Sequence, residues 1–168
     1  MKKKILIIGA SGLIGSAIFN EIKKKKFYSV YGTIKRKNKK KFFSQYSDKI
    51  FANVKIENEN QIIKIIEKIK PSIVINCAAV VKKYIDLYTA KKIFEINSKF
   101  PKHLEQLSLK YKFKLIQISS DCVFDGLKGN YSENDIPNPA DIYGLSKYLG
   151  EVNLPNCITL RTSVIGPE

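Results

Sequence analysis

ILIIGASGLIG, residues 5–15, runs four apolar residues straight into a G-x-x-G-x-x-G pattern made by Gly9, Gly12 and Gly15. An apolar run without alternation suits a strand buried on both faces, as in a parallel sheet. The glycines behind it suit a tight turn into a helix, and SGLIGSAIFNEIKKKK supplies that helix. Strand, glycine turn and helix together form the opening unit of a doubly wound α/β fold.

The same alternation continues outward. YSVYGTIKR is expected as a second strand, followed by a lysine-rich segment to about Asp48, and DKIFANVK as a short third strand. NENQIIKIIEKIK places Ile62, Ile63, Ile65, Ile66 and Ile69 on a helical period, with Asn58 or Asn60 as cap. PSIVINCAA gives a fourth strand, and AKKIFEINSKFPKHLEQLSLKYK a long helical region in which Pro101 marks a kink or a helix start. KLIQISSD is a fifth strand. A Gly-, Asn- and Pro-rich loop then leads to the helix of DIYGLSKYLGE, and CITLRTSVIG makes a sixth strand. The expected fold class is α/β: a doubly wound parallel sheet, with residues 1–168 as a single domain. Ligands of such folds bind beyond the carboxyl ends of the strands.

Composition narrows the function. At 44% hydrophobic, the 168 residues can bury one substantial core. No apolar run approaches the ~20 residues of a membrane span, and Cys77, Cys122 and Cys157 are widely spaced, as suits reduced thiols in the cytoplasm. The single histidine, His103, excludes a site built on several His ligands. The net charge of +15 comes almost wholly from lysines, with only Arg36 and Arg161 beside them. A nucleic-acid surface would also use arginine forks and interleaved aromatics, so the reading is of solvated lysine-rich faces that still attract anions such as nucleotides.

Two clusters carry chemistry. The turn bearing Gly9, Ser11, Gly12, Leu13, Ile14 and Gly15 would bring backbone N–H groups and a helix N-terminus against a pyrophosphate; a merely tight turn is the bland alternative. After the second strand, GTIKRK offers no acid for ribose hydroxyls but supplies Lys35 and Arg36 for a 2′-phosphate. NADP(H) is therefore the preferred cofactor and NAD(H) the alternative. Tyr143 and Lys147, four apart, share a helix face. A lysine ammonium there should lower the phenol's pKa from about 10 and assist proton exchange. Ser120, ending the fifth strand, adds a hydroxyl near a substrate oxygen.

In order, GASGLIG, NCAAVV, SSDCVFDG and YGLSKYLGE resemble the extended short-chain dehydrogenase/reductases, and among them the dTDP-4-dehydrorhamnose reductases (RmlD-like nucleotide-sugar reductases). That resemblance implies an NAD(P)-binding Rossmann domain and an enzyme reducing a 4-keto-6-deoxy nucleotide sugar for cell-surface polysaccharide synthesis. It implies Ser120, Tyr143 and Lys147 as catalytic residues. It further implies cofactor contacts at Asn53, Val54, Cys77, Ala78, Ala79, Val80 and Asn97, with Tyr143 and Lys147 also touching the cofactor. Asn97, in FEIN, matches a supporting asparagine of the family; a helix-distorting asparagine with a backbone partner is the alternative. Cys122 stands where tyrosine is usual and is expected as a small buried filler. Asn53 replaces the usual aspartate.

Family members continue beyond the sixth strand into a substrate-binding region, which this sequence lacks after residue 168. The other readings are a nucleotide-sugar epimerase or 4,6-dehydratase, a non-catalytic regulatory subunit and, in a third class, a lysine-driven nucleic-acid binder. Asp121 fits dehydratase and reductase patterns alike. The expected partner is a nucleotide sugar, with neither membrane nor nucleic acid, and a homodimer is an open option.

Overall fold

A computed structural model describes residues 2–164. Six parallel strands form one sheet in the order β3-β2-β1-β4-β5-β6, with β1 Lys3–Ile8, β2 Tyr28–Thr33, β3 Ile50–Phe51, β4 Ile73–Asn76, β5 Lys114–Ile118 and β6 Cys157–Leu160. The order reverses between β1 and β4. A crevice opens at that switch point, beyond the strands' carboxyl ends.

The helices are α1 Leu13–Lys23, α2 Glu59–Ile69, α3 Ala90–Phe94, α4 Phe100–Tyr111 and α5 Ile142–Leu149. α2 begins at Asn58, whose side chain accepts a hydrogen bond from the Gln61 N–H, and buries Ile62, Ile65, Ile66 and Ile69 against Leu6, Leu104 and Leu115. Each such isoleucine contributes roughly 1.5–3 kcal/mol of apolar burial. On the opposite face of the sheet, Phe19 of α1 packs with Ile5, Ile7, Val30 and Phe43. Both faces of the sheet are therefore covered, as its uninterrupted apolar strands require.

Two expected strands shorten. The third strand keeps only Ile50–Phe51, because Asn53 turns left-handed (φ 58°) and takes the chain out of the sheet. The sixth ends at Leu160, and the Ile165–Gly166 end of that expectation lies outside the described residues. The lysine-rich stretch winds into 3₁₀ turns over Lys37–Lys49, pinned by buried Phe43 edge-on to Phe19. Pro101 marks a helix start inside the long helical region, one of its two expected roles. It sits in the first turn of α4, directly after a π-helical turn over Glu95–Lys99 that joins α3 to α4. Proline has no N–H for an i−4 carbonyl, and the wider turn accommodates that missing bond.

Candidate active site

The crevice is a cleft of about 960 Å³, walled by the glycine turn, the segment after β4, the end of β5 and α5. Gly9 takes φ +81°, and a Cβ there would lie 2.9 Å from the Ala78 nitrogen. A Cβ on Gly15 would come within 2.3 Å of the Gly9 carbonyl oxygen. Only bare backbone lets strand, turn and helix close this tightly. Gly12 differs: it caps α1, no side chain caps the first turn, and a Cβ would meet only the Gly9 oxygen at 3.5 Å. The helix N-terminus thus faces the cleft with its first-turn N–H groups and room in front of them, which fits the phosphates of a dinucleotide.

Of the residues expected to contact a cofactor, Gly9, Ser11, Gly12, Leu13, Ile14, Lys35, Val54, Cys77, Ala78, Ala79 and Val80 line the cleft. Gly15 is buried behind the turn. Arg36 and Asn53 are exposed and do not line the cleft: β2 ends at Thr33, leaving Lys35 toward the opening and Arg36 at the start of the 3₁₀ turns, while the turn at Asn53 presents Val54 instead. Lys39, which was not anticipated, lines the cleft, as do Lys82, Lys83 and Glu57.

Ser120 and Tyr143 both line the cleft. Gly144 makes that approach feasible, since a Cβ there would sit 2.0 Å from the Cys122 carbonyl oxygen, and helix and loop touch backbone to backbone. Asp141 caps α5 by accepting from the Gly144 N–H at 2.7 Å and pairs with Lys82 at 2.7 Å. The Ser120 hydroxyl donates to Asp121 at 3.0 Å and accepts from the Cys122 N–H. The Ser163 hydroxyl donates to the other Asp121 oxygen, and this bond leads in holding that carboxyl below its ordinary range. Cys122 is half-exposed at the cleft edge, so the expectation of a buried filler does not hold.

The expected lowering of the Tyr143 phenol by Lys147 is not what the structure gives. Burial pushes the phenol up, the charges of Cys122, Asp121 and Asp141 add to that, and contact with the Ser120 hydroxyl works the other way. Lys147 is only 4% exposed and does not line the cleft; its ammonium donates to the Ile118 carbonyl at 2.7 Å. Burial lowers its pKa from 10.5 to about 8. Cys77 on the cleft wall is pushed up to about 12 by burial, which leaves its thiol protonated. Lys147 shares the Ile118 carbonyl with the Gln117 amide, which in turn accepts from Asn76, whose carbonyl oxygen holds the Ala78 N–H. Sequence reasoning missed Asn76 and Gln117. Their signal was a polar residue inside an otherwise apolar strand.

Asn97 does not line the cleft. It is buried and clamps Val80 with two bonds, Val80 N–H to Oδ1 at 2.8 Å and Nδ2 to the Val80 carbonyl at 2.9 Å. A second cavity of about 1240 Å³ runs beside α5 and β6 and shares Lys82, Asp121 and Cys122 with the cleft. Among the described residues no cluster could hold a metal, and no helix is long and apolar enough to cross a membrane.

Comparison with known proteins places this geometry. The RmlD substrate binding domain family matches residues 2–166. A dTDP-4-dehydrorhamnose reductase of Aggregatibacter actinomycetemcomitans is 33% identical over 67% of the chain and 40% of its own length. The methionine adenosyltransferase 2 subunit beta of Bos taurus is 31% identical over 89% of the chain and 42% of its own length. The crystal structure of dTDP-4-dehydrorhamnose reductase from Bacillus anthracis, in complex with NADP, superimposes with a TM-score of 0.73 at 30% identity, covering 89% of this chain and 48% of that one. The chain spans less than half the length of these relatives.

Proposed function

The chain belongs to the RmlD substrate binding domain family, within the extended short-chain dehydrogenase/reductases, and from that premise we propose that it is the dinucleotide-binding unit of an NAD(P)H-dependent reductase acting on a 4-keto-6-deoxy nucleotide sugar. The observation carrying this reading is that Ser120 and Tyr143 line, in contact with each other, the same cleft as the glycine turn. The first turn of α1 would hold the pyrophosphate, Val54 and residues 77–80 the flanking rings, and Lys35 with Lys39 a 2′-phosphate, which favours NADP(H). A bound nicotinamide supplies the hydride.

Tyr143 keeps its proton at neutral pH, since burial raises its pKa, and delivers it to the substrate oxygen as negative charge develops there. Ser120 turns its hydroxyl from Asp121 toward the same oxygen. Lys147, fixed on the Ile118 carbonyl, ties α5 to the end of β5 and so holds the helix that carries Tyr143 in place. The nucleotide sugar approaches from the second cavity, whose border at Asp121 and Cys122 adjoins Ser120. The setting is cytoplasmic synthesis of a cell-surface polysaccharide.

The test is NADPH consumption with a dTDP-4-keto-6-deoxy sugar. Tyr143→Phe should abolish turnover and leave the cofactor Kd within about twofold. Release of product without net NADPH loss would instead indicate an epimerase or dehydratase. A regulatory subunit is the second reading, favoured by the bovine alignment over 89% of the chain. It predicts a co-purifying partner and unchanged function in Tyr143→Phe.

A further inference from the structure

Ser146 lies between Tyr143 and Lys147, is fully buried, and lines neither cavity. Its hydroxyl donates to the Tyr143 carbonyl at 2.7 Å and accepts from Asn97 Nδ2 at 3.0 Å. Its own carbonyl accepts from the Ser98 hydroxyl at 2.7 Å. Asn97 spends its second Nδ2 proton on the Val80 carbonyl and its Oδ1 on the Val80 N–H. Val80 and Tyr143 stand on different walls of the cleft.

We propose that Ser146 is a positioning residue that ties the segment after β4 to Tyr143, so that the cofactor-facing wall and the proton donor hold one fixed separation. Donor counting supports a single arrangement. An amide nitrogen has two protons, and Asn97 uses both; a hydroxyl has one, and Ser146 gives it to Tyr143. Reversing any bond in the chain leaves a buried donor or acceptor without its partner. The π-helical turn is what brings Asn97 and Ser98 to Ser146 together. Gly150 lets α5 come close enough, because a Cβ there would lie 1.9 Å from the Asn97 carbonyl oxygen. A serine hydroxyl bonded back to its i−3 carbonyl also bends a helix locally, here in the turn that carries Tyr143.

The first readout needs no ligand. In the free chain labelled with ¹⁵N and with ¹³Cζ-tyrosine, Ser146→Ala should move the Val80 amide resonance and the Tyr143 ζ-carbon resonance together. Ser146→Cys, which keeps the volume and a weak donor, should move both less. The second readout rests on the proposed dinucleotide site: Ser146→Ala should weaken NADPH binding about fivefold although Ser146 lines no cavity. A lower Tm with Val80 and Tyr143 both unmoved would overturn the inference and leave Ser146 a packing residue. Failure of the unsubstituted chain to bind NADPH would count against the proposed function alone, with the resonance shifts still deciding the coupling.

Discussion

Replacing Lys147 with methionine tests the buried tie between α5 and β5 through its pH dependence. Methionine fills similar space without charge, and the Ile118 carbonyl keeps its bond from Gln117. In the folded chain Lys147 holds its proton less tightly than an ordinary lysine, with a pKa of about 8 against 10.5. Between those values the unfolded chain binds more protons, so raising the pH stabilises the fold. The cost of keeping the buried ammonium is therefore full below about pH 8 and gone above about 10.5. At pH 7 it amounts to roughly 3 kcal/mol, and at pH 9 to roughly 2. Met removes that cost and also a charge-assisted bond worth about 1.5–3 kcal/mol, so the two proteins should be of similar stability near neutrality. The diagnostic is the change in their difference. Urea unfolding at both pH values should show wild type gaining about 1 kcal/mol on Lys147→Met from pH 7 to pH 9, or about 2–4 °C in Tm. The Cys77 thiol, pushed up to about 12 by burial and held down in part by the Lys147 charge, destabilises the fold only above about pH 9, and losing that charge raises it further. A stability difference that stays constant across the interval would refute a buried, strained ammonium.

Two other substitutions probe separate links. Gly144→Ala forces a Cβ into the Cys122 carbonyl oxygen and should cost about 2–3 kcal/mol in chemical denaturation, with Tyr143 displaced and turnover lost. Lys35→Gln combined with Lys39→Gln should weaken NADPH about tenfold and NADH less than twofold in parallel fluorescence titrations; equal losses would remove the 2′-phosphate assignment.

The sheet was legible because buried parallel strands read as unbroken apolar runs: Ile5–Ile8 and Ile73–Ile75 needed no tertiary information. The Asn58 cap was legible because capping is local. The crevice followed from the glycine spacing, and Ser120 with Tyr143 from the ordered motifs. What failed depended on depth and rotation. Helical spacing puts Tyr143 and Lys147 on one face, yet it cannot say that the long lysine side chain passes beneath that face to a strand carbonyl. Lys35 and Arg36 are neighbours in sequence, but where β2 ends decides which of them reaches the cleft. The Asn97–Ser146 bond spans 49 positions, and only the π-helical turn and the Gly150 contact bring its ends together. No periodicity announces such a bond.

The central claim is that the glycine turn and the first turn of α1 cradle a dinucleotide, and Gly12→Val addresses it most directly. Gly12 has φ −79°, and a Cβ there meets nothing closer than 3.5 Å, so the fold tolerates a side chain that would occupy the cradle. Titrated with NADPH and followed by nucleotide fluorescence, the unsubstituted chain should saturate, and the valine variant, with unaltered circular dichroism, should not. Equal affinity in both proteins, or no saturable binding in either, would contradict the account.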